Sequence, residues 1–509
     1  MSLSTMKTRT IVDNGFDGIV GEIECQISNG LPSIIIVGFA NKAVDEAKER
    51  IRSAFASSSI PFPKKRLTIN LAPADIPKDN TSFDLAIAVS ILQSAKTIKQ
   101  LDSNSAFFGE LGLDGEIRPV RGLIGKLISA KNHGLNTVYI PESNVTQATL
   151  VDGLQILPFK TLKDVYLHLS GATQKTIVLP TLKISGNTIG NSVKDTDFSD
   201  IVGQSQAKRA LTIAASGNHN ILLNGPPGTG KSMLAKALVS VLPAMVRDEI
   251  LETTHIHSLH NKNYESIITT RPFRSPHHSA SDTSIIGGGR NPRPGEISLA
   301  HNGVLFFDEL PEFKRNTIEA LRQPLEDRVV TVSRAKDTIT FPANFILVAT
   351  ANPCPCGYFG TSKECSCTPY QLHQYSRKLS GPIMDRIDIY VNVENLEHTK
   401  LLEKNTDSET SESIGKKISL AIARQNRRFE KRKFNSDMTN RDIKQFSKLS
   451  TEARELLDKG AEKLELSPRA YMRTLKVART IADIEQSEGI ESSHIAEALQ
   501  YRPVRNIQA

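Results

Sequence analysis

The sequence has no apolar run approaching the ~18 residues that a membrane-spanning helix needs, which argues against helical insertion into a bilayer. Its opening residues, MSLSTMKTRTIVDNGFDG, offer neither the apolar stretch nor the small-residue cleavage site of a secretory signal, so a cytoplasmic location is expected. Cysteine is scarce. The five in 509 residues cannot frame a disulfide-stapled fold; four of them crowd into positions 354–367, which points to a local metal or redox feature, and Cys25 stands alone as a core residue. Charge of one sign is also in short supply. A net +8 is small for this length, compatible with a polyanionic partner and equally with a mildly basic solvated surface. What is present, 39% hydrophobic and 23% charged residues, is ordinary for a soluble globular protein, and the length suits about three domains.

Residues 1–170 alternate strand-like runs (SIIIVGF, RLTINLAP, TVYIPE) with helical stretches (NKAVDEAKERIRSAFASS, LISAKNHGL), an α/β or α+β pattern. Residues 171–197, rich in Thr, Ser, Asn and Gly without a helical period, read as a linker. A second domain, 198–393, opens with the strand NILLNG, a glycine-rich turn and the helix KSMLAKALVSVL, followed by the strands VLFFD and FILVATAN. That order predicts a doubly wound, mostly parallel sheet. From 394 to 509 apolar residues recur at helical spacing (Ile418, Ile422; Ala453, Leu457; Leu475, Ala478, Ile481), predicting an all-α last domain. The expected fold class is therefore multidomain α/β with a helical C-terminal domain.

The segment GPPGTGKS (Gly225, Pro226, Pro227, Gly228, Thr229, Gly230, Lys231, Ser232) matches G-x-x-x-x-G-K-[ST], with a strand before it and a helix after it. Its glycines let backbone N–H groups converge on phosphates at a helix N-terminus. Lys231 is expected to reach the β- and γ-phosphates of ATP, Ser232 to hold Mg²⁺, and Met233 to join the nucleotide-binding set. In VLFFDEL, Asp308 and Glu309 end an apolar strand where an Mg²⁺-facing carboxylate and a water-activating carboxylate belong. Asn352, closing FILVATAN, is placed to orient the attacking water. Arg386 and Arg469 are candidates for stabilising transition-state charge, unless they pair with local acids such as Asp385 or Asp388.

The set DIVGQ (200–204), GPPGTGKS, VLFFDEL, ATANPCPCG and SGPIMDRID resembles the magnesium-chelatase-like AAA+ ATPases of the ComM/YifB type, linked to natural transformation. The resemblance covers essentially the whole chain. It implies an AAA+ core with a helix-2 insert, a hairpin before sensor 1 and an all-α C-terminal lid. It also implies a homo-hexameric DNA translocase or helicase that promotes branch migration of recombination intermediates, alongside recombination proteins and away from membranes. By the same resemblance Ile201, Val202 and Gly203 lie near the adenine, Asn352 is sensor 1, Arg386 completes the neighbouring subunit's site, and Arg469 is sensor 2.

Three segments are candidates for touching a polymer. The first is the long glycine-rich stretch 271–303 with Arg290, read as lacking regular structure and corresponding by resemblance to the helix-2 insert. A hairpin, RVVTVSRAKDTITFPANF, offers Arg334 and Lys336 at its tip for contacts to DNA phosphates. The third is a basic run in the last domain, Arg424, Arg427, Arg428, Lys431, Arg432 and Lys433, which is either a nucleic-acid contact or a solvated helix face. Two other functions stay open, a protein-remodelling chaperone and a metal-inserting chelatase. The hairpin tip carries no aromatic residue between its cations, which favours phosphate over peptide.

Cys354, Cys356, Cys365 and Cys367 supply four thiolates, enough for a tetrahedral zinc site, with His373 as a substitute ligand. Following Asn352 so closely, the cluster is expected to brace the loop leaving the ATP site. The segments KDNTSFDLAIAVSIL and LDGEIRPVRGLIGKLISAKNHGLNTVYIP resemble the proteolytic domain of Lon-type proteases, which use a serine activated by a lysine. Ser82 falls on the serine position. The lysine position falls on Ile124, with Lys126 two residues on, so a degenerate domain without peptidase activity is expected.

Overall fold

A computed structural model describes residues 7–14, 17–38, 42–73, 82–178, 196–260, 266–289, 292–333, 338–361, 363–378, 383–395 and 409–503. The chain divides into two compact units. The first gathers 1–189, 246–269 and 333–341; the second holds 190–245, 270–332 and 342–509. No helix among the described residues is long and apolar enough to cross a membrane.

The first unit is built on a seven-stranded mixed sheet in the order Ser33–Val37, Arg66–Ala72, Asp17–Ser28, Lys7–Asn14, Ser105–Phe107, Thr137–Pro141, Gln155–Phe159. Asp17–Ser28 pairs antiparallel with both its neighbours, and parallel pairing begins on either side. The helix Asp84–Ser94 is buried along almost its whole length, and its Ile87, Ile91 and Leu92 join Ile23, Ile69 and Phe107 in one core. Cys25 belongs to that core. The helix Arg247–His260, which follows the phosphate-loop helix in sequence, lies in this unit. The ring of its His255 sits where any side chain on Gly125 would have to go, 2.3 Å from an ideal Cβ, so it packs directly on Leu123–Asn132.

The second unit carries a five-stranded sheet in the order Phe273–Arg274, Val304–Phe307, Ile346–Ala351, Ile221–Asn224, Ile389–Asn392, every pair parallel. Alternate residues of each strand point to opposite faces. Ile221, Leu223, Phe306, Val348 and Val391 pack with the helices Ser205–Gly217 and Lys231–Val241 on one side, whereas Leu222, Leu305, Phe307, Leu347 and Ala349 pack under Ile285, Leu310 and Leu325 on the other. Both faces being covered, these strands read as unbroken apolar runs. From Ser411 to Gln500 every regular element among the described residues is helical. Each of the longer ones, Ser411–Phe429, Thr451–Lys463 and Pro468–Ile484, starts behind a Thr or Ser whose side chain accepts a backbone N–H of the first turn. Ile418, Leu457, Ala478 and Ile481 join the same core as the P-loop helix.

The glycine-rich stretch departs from expectation, being partly regular among the described residues. Phe273–Arg274 is a sheet strand, Asp282–Ile286 and Glu296–Leu299 are short helices, and Gly287–Gly288 pairs antiparallel with Arg293–Pro294. Arg274 holds the segment by a bidentate bond to Glu296, at 2.6 and 2.7 Å. Sequence pattern alone hides this because elements of two to five residues are too short to show a period. Arg290 itself lies outside the described residues.

Candidate functional site

The P-loop strand Ile221–Asn224 is positioned by the residue before it. Asn220 is buried, its Oδ1 accepts from Leu347 N (3.0 Å), its Nδ2 donates to Arg386 O (3.2 Å), and its N–H donates to Asp388 Oδ2 (3.1 Å). One residue thus stitches the strand to both flanking segments. The loop that follows turns on Gly228 and Gly230, whose φ angles of +83° and +84° are the left-handed region that a side chain would strain, and Gly230 then caps the helix Lys231–Val241.

Four of the predicted catalytic residues, Lys231, Asp308, Glu309 and Asn352, converge at the C-terminal edge of this sheet, where ligands of parallel sheets bind. Lys231 Nζ donates to the carbonyls of Gly225 (2.6 Å) and Pro226 (2.8 Å) and to Asn352 Oδ1 (3.2 Å). Asn352 Nδ2 in turn donates to Glu309 Oε1 at 3.2 Å. Burial pushes the Lys231 ammonium below the ordinary lysine value, and the charges of Asp308 and Glu309 partly restore it. Ser232 Oγ lies 3.3 Å from Asp308 Oδ2. Two neighbouring ligands of an octahedral Mg²⁺ at 2.0–2.1 Å stand about 2.9 Å apart, so the pair fits a shared magnesium ion with little adjustment. Thr229 closes the loop by donating to Pro226 O at 3.0 Å, and Met233 is exposed beside it.

Thr350 carries no motif that would single it out in the sequence, yet it organises the acids. Its fully buried hydroxyl donates to Asp308 Oδ1 (2.7 Å) and accepts the N–H of Glu309 (2.8 Å). Glu309 is held in left-handed backbone geometry, φ +53°, a strained choice for a residue with a side chain. A threonine two residues before a predicted sensor is the only signal the sequence offers. Ile201 is buried, and Val202, Gly203 and Gln204 lead into the helix Ser205–Gly217, Gln204 donating to Glu394 O at 2.8 Å.

The two candidate arginines share one carboxylate, that of Glu326. Arg386, largely buried, pairs with Glu326 at 2.8 Å, and the exposed Arg469 approaches the same carboxylate at 3.7 Å. Of the nearby acids open to Arg386, Asp388 takes Arg473, with His219 Nδ1 at 3.5 Å from its other oxygen. The basic run divides in the same way. Arg428 and Arg479 pair with the buried Asp483, and Lys433 pairs with Asp442 at 2.5 Å, so part of the run is internal bracing; Arg427 and Lys431 are exposed. The hairpin Val329–Ser333 and Thr338–Pro342 forms a two-stranded sheet, and its tip residues Arg334 and Lys336 lie outside the described residues.

The four cysteine sulfurs of 354–367 lie within 4.8 Å of one another, with Cys354–Cys356 at 3.3 Å, Cys356–Cys365 at 3.5 Å and Cys354–Cys365 at 3.8 Å. Tetrahedral zinc with Zn–S of about 2.3 Å needs sulfurs about 3.8 Å apart, which this cluster approximates. His373 is exposed on the helix Pro369–Lys378 and is not part of the cluster. Tyr375, buried on that helix, lies beside the backbone of Asn352, and burial pushes its phenol up to about 12. In the first unit Ser82, Ile124 and Lys126 are all buried, Ile124 completely.

A strand, a phosphate loop, a helix, paired acids held by a threonine and a polar residue closing the neighbouring strand define a P-loop ATPase of the AAA+ kind. Family models agree: residues 197–401 match "Magnesium chelatase, subunit ChlI", 23–144 match "Subunit ChlI of Mg-chelatase", and 408–502 match "Magnesium chelatase, subunit ChlI C-terminal". The chain is 42% identical to competence protein ComM of Haemophilus influenzae over 510 residues, covering 99% of this chain and 98% of that protein. It is 41% identical to YifB of Escherichia coli, again over 99% of the chain and 98% of the relative. A Lon protease of Lachnoclostridium phytofermentans is 29% identical over 163 residues, 30% of this chain and 20% of that protein. The chain belongs to the magnesium-chelatase-like AAA+ ATPases of the ComM/YifB type.

Proposed function

We propose that this protein is an ATP-driven DNA motor, a homo-hexameric translocase or helicase that promotes branch migration of recombination intermediates, as in integration of DNA during natural transformation. The observation that carries this reading is the full-length likeness to a competence protein. Lys231 holds the β- and γ-phosphates, Ser232 and Asp308 hold Mg²⁺, which when bound neutralises phosphate charge, and Glu309 takes the proton of the attacking water that Asn352 orients. Arg386, released from Glu326, completes the site of the neighbouring subunit, and Arg469 acts as sensor 2 in its own. The four cysteines hold zinc. The first unit is a Lon-like domain that retains Ser82 but has Ile124, an alkyl chain that cannot accept a proton, where a lysine is needed; it serves ring assembly, DNA guidance or partner binding instead of peptide hydrolysis.

Six copies of the hairpin tip would line a channel with Arg334 and Lys336, gripping phosphates without reading sequence. Replacing both by alanine is expected to leave basal ATPase intact and to weaken DNA binding. The slope of log affinity against log salt should fall by about 0.7–0.9 for each phosphate that the missing cations no longer neutralise. Gel-shift titrations across a salt series check this. Normal unwinding by the double variant would remove the hairpin from the mechanism.

A further inference from the structure

The cysteine cluster is not a separate appendage of the second unit. Cys354 is fully buried two residues after Asn352, whose side chain bridges Lys231 and Glu309. The turn that the cluster encloses then reaches back to the phosphate loop. Gly357 has φ +85°, and a Cβ placed on it would lie 2.6 Å from Pro227 Cδ, so the turn is pressed against the loop at an approach that only a glycine permits. Beyond Cys367, the helix Pro369–Lys378 returns Tyr375 to the Asn352 backbone. A third link runs through the main chain, Gly225 N donating to Ala351 O at 3.1 Å. The segment from Ala351 to Tyr375 therefore meets the phosphate loop at Ala351 and at Gly357, Tyr375 comes back beside Asn352, and the four sulfurs cluster within 4.8 Å of one another along it.

We propose that zinc in this Cys₄ site is a structural effector of the nucleotide site: metal binding fixes the Gly357 turn against Pro227 and holds Asn352 in register with Lys231, so nucleotide affinity depends on metal occupancy. Thiolate ligation supplies the order that the irregular loop leading from Asn352 to the helix at Pro369 lacks on its own, since metal-binding free energy is realised as folding of the ligand loop. The inference rests on the reading of Lys231 and its neighbours as an ATP site and adds a control to it.

The test uses the full-length protein, zinc analysis, binding of a fluorescent ADP analogue, and hydrogen exchange. Wild type is expected to carry about one zinc per chain. Cys365→Ser with Cys367→Ser, which alters the two outer ligands and spares buried Cys354, is expected to lose the metal and to bind the analogue about tenfold more weakly, with faster exchange confined to 225–231 and 346–358. Gly357→Ala keeps all four sulfurs, so it is expected to retain zinc and yet show the same loss of affinity, because its methyl group displaces Pro227. Under half an equivalent of zinc in wild type, or wild-type affinity in the zinc-free cysteine variant, overturns the proposal while leaving the ATP site standing. Failure of wild type itself to bind the analogue overturns the ATP site and this inference with it.

Discussion

Glu309→Gln is expected to bind ATP like the native protein and to turn it over about 10²–10⁴-fold more slowly, the usual worth of a positioned general base. The change is nearly isosteric. Asn352 Nδ2 and the Thr350 hydroxyl hold the Glu309 side chain and backbone from two sides, at 3.2 and 2.8 Å, so a glutamine can occupy the same place. Its amide cannot accept a proton. The Lys231, Ser232 and Asp308 contacts do not pass through Glu309, which is why binding is expected to survive. Phosphate release and fluorescent-nucleotide titration check the two halves separately; turnover within about tenfold of native would remove Glu309 from the role of base.

The second large effect concerns stability. Asp388→Asn is expected to destabilise the second unit by about 3–5 kcal/mol, because it strips a buried carboxylate from a site that holds several cations. Asp388 is buried with Arg473 on one oxygen, and Asn220 N and His219 on the other. Arg502, itself buried, adds to the positive field around it. Desolvation alone would raise this carboxyl, but Arg473, His219 and Arg502 together hold it far below the ordinary carboxylate range. A carboxylate with a depressed folded-state pKa stabilises the fold above its unfolded value, and that contribution is lost as pH falls through and below it. The gap between native and variant urea midpoints, followed by far-UV circular dichroism, should therefore be flat above about pH 5 and narrow below about pH 4. A midpoint unchanged at neutral pH would show that Asp388 is dispensable. The effect also reaches Arg386, since Asn220 and Arg473 both bond its carbonyl and so fix the chain that carries it.

Local signals in the sequence carry much of this architecture. GPPGTGKS with its flanking strand and helix, and the apolar runs ending in Asp308 and Asn352, are readable because both faces of a parallel sheet are buried and the period of each element is complete. The helical C-terminal region is readable from its spacing, and its Thr410, Ser450 and Ser467 caps reinforce that signal. Other features depend on contacts between distant positions. Asn220, Thr350 and Glu326 matter through partners 41 to 168 residues away, and no pattern along one chain encodes such a pairing. The strand Asp17–Ser28 is a different case. Its alternation of Ile19, Ile23, Cys25 and Ile27 with Glu22, Glu24 and Gln26 is a strand signature, but a weaker one than the unbroken apolar runs of the parallel sheet in the second unit.

The cysteine cluster shows both sides of this. Four thiols between positions 354 and 367 announce themselves, whereas the seat of Gly357 on Pro227, far earlier in the chain, needs the fold. The basic run 424–433 carries an ambiguity that burial resolves. Arg428 and Lys433 are spoken for by Asp483 and Asp442, which leaves a smaller exposed set than the count of cations suggests.

The central claim is that ATP turnover drives movement on DNA. The most direct measurement compares the ATPase rate of the purified protein alone and with single-stranded DNA, forked DNA, denatured protein and porphyrin. Stimulation by DNA, largest for the forked substrate, and none by denatured protein or porphyrin is the predicted result; stimulation by denatured protein with no response to any DNA would contradict it.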